Sequence, residues 1–298
     1  MLCQCPCLEK LTVWRYLVLG KIDATAVCKA CPKLREIHLN STQELNNEQE
    51  DNEWPLRVMT GLPENVVETL RLYMDEHRLD ERLVQASVAQ HSTSLRRVYL
   101  ESNRAGKATR NILATCEVLE ELSVDTSIHL CDIITAGPWA ISSLLRLSLY
   151  IKIGLPSAFL PRPPYYKPYY LQTPPIAAPP EEELRVLDRL KNLYLQIGRQ
   201  TMLRQLKLHI EEEVDDSGDD DDCLMDGDEE DSVDRFSKSF PGMLSLPDAE
   251  AGRPGFLDLF AGLSKLESLE GHMSMMSRRT ESQWERRKWI GYWHIGLV

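Results

Sequence analysis

The most informative absences in this 298-residue sequence are the signatures of membrane insertion and secretion. No apolar run reaches about 18 residues, so we expect no transmembrane helix. The start, MLCQCPCLEKLTV, lacks a basic stretch followed by an apolar one, so it does not resemble a signal peptide. These absences predict a cytoplasmic or nuclear protein, in which the eight cysteines are reduced thiols rather than disulfides.

Motifs for catalysis and cofactor binding are also missing. The sequence contains no G-x-x-x-x-G-K-[ST], no G-x-G-x-x-G, no H-E-x-x-H and no G-x-S-x-G. The seven histidines show no metal-ligand spacing, and no nucleophile lies beside a base in a recognisable pattern. We therefore expect a protein that is not an enzyme and that has no catalytic residues, no cofactor and no metal site.

Negative charge is concentrated in one segment. Residues 211–234 contain 15 acidic residues and no Lys or Arg, and without them the net charge would change from −12 to +3. Since the rest of the chain is close to neutral, a surface for nucleic acid is not expected. The acidic run should be disordered through self-repulsion. Its Ser217 and Ser232 suit acid-directed phosphorylation, and the alternative is a solvated loop without regulation.

A phrase of the form apolar-x-x-apolar-x-apolar occurs eight times along the chain. The first five steps between phrases are 26, 33, 28, 24 and 25 residues. This spacing is typical of leucine-rich repeats, in which each unit contains a short strand and a helix. The phrases begin at Leu8, Leu34, Val67, Leu95, Leu119, Leu144, Leu203 and Leu266.

Each phrase predicts a short strand whose alternating apolar side chains share one face. Segments 22–31, 79–92 and 106–116 have apolar residues at three- and four-residue spacing and predict amphipathic helices. Segment 133–143 starts similarly, but Gly137-Pro138 should break the helix early. The expected fold class is α/β, a leucine-rich-repeat solenoid (horseshoe) with a parallel β-sheet on its concave face and helices on its convex face.

Two insertions divide the array. Residues 155–180 contain nine of the 17 prolines and should be extended, either as a linker or, through their tyrosines, as a peptide ligand. The C-terminal tryptophans and basic residues either cap the array as a helix or contact nucleic acid. The expected parts are repeats at 1–154, a Pro/Tyr-rich insertion at 155–180, a repeat opened by a helix at 181–210, an acidic disordered insertion at 211–250, and a repeat with a capping helix at 251–298.

The C-x-x-C pair of Cys28 and Cys31 suggests either a metal or redox site or two buried thiols. Cys31 lies three residues before a strand phrase, and Cys116 has the same place in a later repeat. This placement predicts small buried residues at helix-to-strand corners. The pair also falls at a helix C-terminus, where the dipole does not favour a thiolate. The alternative is a metal site shared with the N-terminal cysteines, whose spacing is not a standard zinc pattern.

Several stretches resemble the cysteine-containing leucine-rich repeats of fungal F-box proteins. They are CPKLREIHL, GLPENVVETLRL, HSTSLRRVYLES, ILATCEVLEELSV, ITAGPWAISSLLRLSL, LYLQIGRQTMLRQLKL and the closing GLSKLESLEG…ESQWERRKW. In that family an F-box docks on the Skp1 adaptor of a cullin-based, SCF-type ubiquitin ligase, and the repeats hold the substrate. The resemblance therefore implies a non-catalytic substrate receptor that binds a protein partner.

No F-box is evident in the sequence, because the repeat phrases begin at Leu8. Contact with Skp1 and cullin is therefore expected only if an F-box lies upstream. The alternative function is a leucine-rich-repeat scaffold that has no connection to ubiquitin ligation.

The predicted partner-binding face consists of the strand residues that alternate with the core positions. In a horseshoe these side chains point to the concave side, and Arg and Tyr are enriched at protein interfaces. The predicted residues are Glu36, His38, Asn40, Arg71, Tyr73, Arg97, Tyr99, Glu101, Glu121, Ser123, Asp125, Arg146, Ser148, Tyr150, Gln205, Lys207 and His209.

Overall fold

The computed structural model describes residues 5–14, 24–41, 54–74, 81–101, 105–134, 137–153, 181–212 and 256–271. In these residues eight parallel strands form one sheet in sequence order. The strands are β1 (Lys10–Trp14), β2 (Glu36–Ser41), β3 (Thr69–Met74), β4 (Arg97–Glu101), β5 (Glu121–His129), β6 (Arg146–Ile153), β7 (Gln205–Glu212) and β8 (Ser268–Gly271).

Helices connect the strands, as a parallel sheet requires. They are α1 (Ala24–Ala30), α2 (Trp54–Gly61), α3 (Glu81–Gln90), α4 (Ala105–Thr115), α5 (Leu130–Ile133), α6 (Glu181–Gly198) and a 3₁₀ helix (Leu257–Phe260). The prediction of an α/β chain with a parallel sheet is confirmed, and each of the eight apolar phrases falls on one strand. No helix in the described ranges has the length and apolar composition of a membrane span.

The apolar strand positions form the core. Leu122 and Val124 of β5 and Leu149 of β6 are at most 1 % exposed. Consecutive helices contact one another along the chain from α1 to the 3₁₀ helix, and the buried side chains belong to one continuous cluster. Because a short strand cannot bury two such side chains alone, each unit depends on its neighbours for a dry core.

One backbone contact repeats at every junction between strands. The carbonyl oxygen of the residue before a strand accepts two N–H groups from the next unit. The N–H groups of Glu68 and Thr69, for example, donate to the Arg35 oxygen at 2.8 and 3.1 Å. This shared acceptor occurs at each junction from β1–β2 to β7–β8 and fixes the register of the units. At the same position, side chains form the ion pairs Arg35–Glu68, Arg96–Glu120 and Arg204–Glu267.

The segment after β5 differs from its prediction. Helix α5 ends at Ile133, where the predicted helix would begin, because Ile134 is already extended at φ −73° and ψ 123°. Trp139 and Ile141 fill the core there without a helix. The N–H of Trp139 donates to Oε1 of Gln196 in α6 at 3.2 Å, so a side chain replaces the missing helical partner.

Besides α5, two helices and one strand end were not predicted. Helix α2 buries Leu56 and Met59. Two residues at three-residue spacing form a pattern that is too short to predict a helix. The 3₁₀ helix is a single turn. Strand β7 continues through Glu211 and Glu212, which pair with β6. Their assignment to the disordered acidic insertion was therefore wrong.

Several predictions concern residues outside the described ranges. They are the Pro/Tyr-rich insertion at 155–180, most of the acidic insertion with Ser217 and Ser232, and the capping helix after residue 271.

Truncation of a core leucine tests the dependence of one unit on its neighbours. We expect Leu149→Ala to lower the free energy of unfolding by about 2–5 kcal/mol, because it leaves a cavity in a buried layer. Ser148→Ala, next to it on the opposite face, should change stability by less than about 0.5 kcal/mol. Urea denaturation followed by circular dichroism measures both values, and equal effects of the two variants would contradict the orientation of β6.

His91 predicts a pH-dependent stability. It is fully buried; its Nε2 lies 2.9 Å from the Met59 carbonyl oxygen and its Nδ1 lies 3.4 Å from the Val66 amide nitrogen. Burial lowers the pKa of His91 from its ordinary value of 6.5, against a smaller opposing effect of the hydrogen bond to Met59. The unfolded chain therefore binds a proton at a higher pH than the folded protein does.

Stability should consequently be constant above pH 6.5 with respect to this group, and it should fall as the pH drops from 6.5 towards the lowered pKa of His91. His91→Gln keeps a donor for Met59 but removes the titration, so its unfolding free energy should depend less on pH. Urea denaturation at several values between pH 8 and pH 5 compares the two proteins. An unchanged pH slope in the variant would show that His91 is not the group responsible.

Candidate protein-binding face

The sheet places its polar strand residues in rows across neighbouring strands. We call the side of the sheet opposite the core leucines the polar face. The first row is Lys10, Glu36, Thr69, Arg97, Glu121, Arg146, Gln205 and Ser268; the second is Thr12, His38, Arg71, Tyr99, Ser123, Ser148, Lys207 and Glu270. The third is Asn40, Tyr73 and Glu101, followed across β5–β7 by Ser127, Tyr150 and His209.

Asp125 is the one predicted face residue outside these rows. The register of β5 against β6 shifts between Val124 and Ser127, so that Ser127 lies opposite Tyr150. Asp125 instead accepts a hydrogen bond from the Ser123 hydroxyl at 2.8 Å. A register shift inside a strand does not change the apolar pattern of the sequence. The position of Ser127 in the third row was therefore not predicted.

The rows also contain residues that the sequence analysis left out. Glu270 of β8 lies 2.9 Å from the Lys207 ammonium and 3.6 Å from Nε2 of His209. Thr69 is buried, and its hydroxyl oxygen accepts from Nε of Arg97 at 3.1 Å. The alternation of core and polar positions along the predicted strands would have identified Glu270 and Thr69, because each is adjacent in sequence to a core leucine.

Ion pairs cross the polar face between strands. Glu36 of β2 lies 3.5 Å from the Lys10 ammonium and 3.6 Å from a guanidinium nitrogen of Arg97. Glu121 lies 3.6 Å from the guanidinium of Arg146. These partly exposed pairs contribute little to stability. They place a carboxylate of another strand next to most of the cations on the polar face.

An arginine and a tyrosine stack in the middle of the face. The guanidinium carbon of Arg71 lies 4.0 Å from the centre of the Tyr99 ring, a cation–π contact between β3 and β4. Burial raises the pKa of Tyr99, and a hydrogen bond to Glu121 raises it further. Arg71, Tyr99 and Glu121 therefore form a connected cluster with a neutral phenol at physiological pH.

A second aromatic contact lies towards the C-terminal strands. The rings of Tyr150 and His209 stack with their centres 4.5 Å apart, and the Lys207 ammonium lies 5.8 Å from the Tyr150 ring centre. The hydrogen bond to Glu270 is the main cause that raises the pKa of Lys207, so this residue is charged. The face thus has flat aromatic surfaces at two places, each next to a cation.

His38 stands beside Arg71 in the second row. Burial is the main cause that lowers the pKa of His38, with Lys10 and Arg71 adding to it and Glu36 opposing. The neutral imidazole therefore predominates at neutral pH. His38 therefore adds no positive charge to the polar face beside Arg71.

Cys31 and Cys116 lie at helix-to-strand corners, and in other units of the array different residues occupy the same position. Cys31 and Cys116 are 0 % exposed, and each donates its N–H to the carbonyl four residues earlier at a helix end. The corresponding corners hold His91 and Gln200, which are also buried. The carbonyl oxygens of Cys31, His91 and Gln200 accept the N–H of the first residue in the next strand phrase. Since side chains of different chemistry fill one position, packing explains the cysteines, and their predicted placement at helix-to-strand corners is confirmed.

Cys28 packs against the next helix. Its thiol donates to the Val58 carbonyl oxygen at 3.3 Å. In the parts of the chain that the structure describes, no group of three or more His, Cys, Asp or Glu side chains could hold a metal ion.

Neither a family model nor a curated protein sequence matches this chain. It is therefore not assigned to a family.

Thiol reactivity should separate two classes of cysteine. Burial raises the pKa of Cys116 to about 11, and Cys28 and Cys31 are also buried, whereas Cys5 and Cys131 are exposed. At pH 8 the folded protein should react with iodoacetamide at the exposed thiols first, because the thiolate is the nucleophile. Mass spectrometry locates the modified residues with and without urea, and early modification of Cys116 in the folded protein would contradict its buried position.

Proposed function

We propose that this chain is a non-catalytic protein-recognition module, built as a leucine-rich-repeat solenoid that binds a protein partner on its polar face. In this proposal it acts like the substrate receptors of the F-box/leucine-rich-repeat type in SCF ubiquitin ligation. The observation that carries the proposal is the alignment of Arg, Tyr and His side chains in rows on one face of the sheet.

The solenoid architecture is supported by the order and regularity of the units. Each strand is added beside the preceding one, and one backbone hydrogen-bond pattern recurs at every junction. The first five steps between apolar phrases are close to the length of leucine-rich repeats. An array of this kind exposes a long surface without an internal cleft, which suits binding of an extended protein surface more than catalysis.

The chemistry of the polar face supports a protein as the partner. Its charges alternate in sign across strands, whereas a surface for nucleic acid needs a continuous basic patch. Tyr99 and Tyr150 are rigid aromatic surfaces beside cations. Tyr and Arg are the residues that most often dominate protein–protein binding energy.

The connection to ubiquitin ligation rests on the resemblance of the repeat sequences to those of fungal F-box proteins. It includes docking on Skp1 and cullin only where an F-box is joined to the repeats. The proposed compartment is the cytoplasm or the nucleus, where such ligases act.

Affinity isolation of the tagged protein from its own cells tests the proposal at two levels. Arg97→Ala combined with Tyr99→Ala should reduce the recovery of a specific partner, because it removes two neighbouring side chains of the polar face. Arg189→Ala combined with Lys191→Ala changes exposed residues of α6 and is the matched control, which should retain the partner. Quantitative mass spectrometry measures the recovered proteins, and thermal unfolding checks that both variants are folded.

The two levels have separate outcomes. Equal recovery of every protein by the face variant and the control would contradict recognition through the polar face. Recovery of a face-dependent partner without Skp1 or cullin would contradict the ligase connection and favour the scaffold function.

A further inference from the structure

We propose that Arg71 is an anchor for a carboxylate, so that the partner bound on the polar face is a protein segment that inserts an Asp or Glu side chain beside Tyr99. This inference rests on the proposed function, because it names the chemistry that the same face would recognise. It comes from a difference between Arg71 and the other cations of the face.

The guanidinium of Arg71 is held in place before any partner arrives. Its carbon lies over the Tyr99 ring, 4.0 Å from the ring centre, and Tyr99 is in turn hydrogen-bonded to Glu121. Arg71 is itself half-buried, in the second row between His38 and Tyr99. Because its side chain is already ordered, binding an anion there would lose less conformational entropy than binding to a mobile arginine.

Among the residues that the structure describes, Arg71 also lacks an anionic partner. No carboxylate among the described residues lies within ion-pair distance of the Arg71 guanidinium. By contrast, four other cations of the face each contact a glutamate. The pairs are Lys10–Glu36, Arg97–Glu36, Arg146–Glu121 and Lys207–Glu270.

This pattern of pairing favours a carboxylate over a phosphate. A phosphate monoester carries close to two negative charges and is usually recognised by several basic side chains together. Here the neighbouring cation Arg97 already contacts Glu36, which it shares with Lys10, and the adjacent His38 has a lowered pKa and is neutral. The planar guanidinium of Arg71 fits one carboxylate, to which it can donate two parallel hydrogen bonds.

Selection of random linear peptides on the folded full chain tests this anchor. Peptides that bind should share an Asp or Glu at one position. Replacing that acid by Asn or Gln, or changing Arg71→Gln in the protein, should each weaken binding about tenfold or more, since hydrogen bonds between charged groups are the strong ones. Combining the two changes should weaken binding little further, because both remove the same contact.

Arg146→Gln is the matched control variant. It removes a guanidinium from the same face, but one that already contacts Glu121, so the acidic position of the peptide should keep its effect. Circular dichroism and thermal unfolding confirm that each variant is folded. Arg71→Lys keeps the charge without the planar pair of donors, and it should recover only part of the affinity.

The outcomes separate the anchor from the function on which it rests. Peptides that lose affinity with Arg97→Ala and Tyr99→Ala but carry no acid, or bind Arg71→Gln equally well, would contradict the anchor and leave recognition by the face intact. A phosphoserine at the selected position that binds more tightly than Asp through Arg71 would replace the carboxylate by a phosphate. A selection without any face-dependent peptide would contradict both proposals.

Discussion

A single strand of this sheet presents apolar side chains that it cannot remove from water without the neighbouring units. Burial of one such side chain contributes about 1.5–3 kcal/mol, and the helices that cover Leu122 or Leu149 come from the same and neighbouring units. The shared carbonyl acceptor before each strand sets every unit in the same register as the previous one. Apolar burial and register together therefore define the array, and the rest of the structure depends on them.

The polar face is a consequence of that register. When the leucines of neighbouring strands align on one side, the residues between them must align on the other side. Contacts that are distant in sequence, such as Arg71 with Tyr99 or Tyr150 with His209, arise in this way. The same alignment places Glu36 and Glu121 beside cations of other strands, but it leaves Arg71 over the Tyr99 ring without a carboxylate from the described residues.

The strands and the face could largely be predicted from sequence because both follow from one recurring apolar phrase. The eight strands, the parallel sheet and the corner positions of Cys31 and Cys116 were predicted for this reason. Features that interrupt the phrase could not be predicted: the irregularity that moves Asp125 out of the rows, the core filling by Trp139 without a helix, and the extension of β7 through Glu212. Pairing of charges across strands depends on side-chain geometry, which periodicity does not contain.

Nuclear magnetic resonance of the folded full chain tests the central claim most directly. Nuclear Overhauser effects between backbone protons should join Leu122 to Leu147 and Leu147 to Leu206, in the offsets that parallel neighbouring strands produce. Every pair of consecutive apolar phrases should give the same pattern. Offsets of antiparallel pairing, or contacts that skip from one phrase to a non-adjacent one, would contradict the stacked array and the polar face with it.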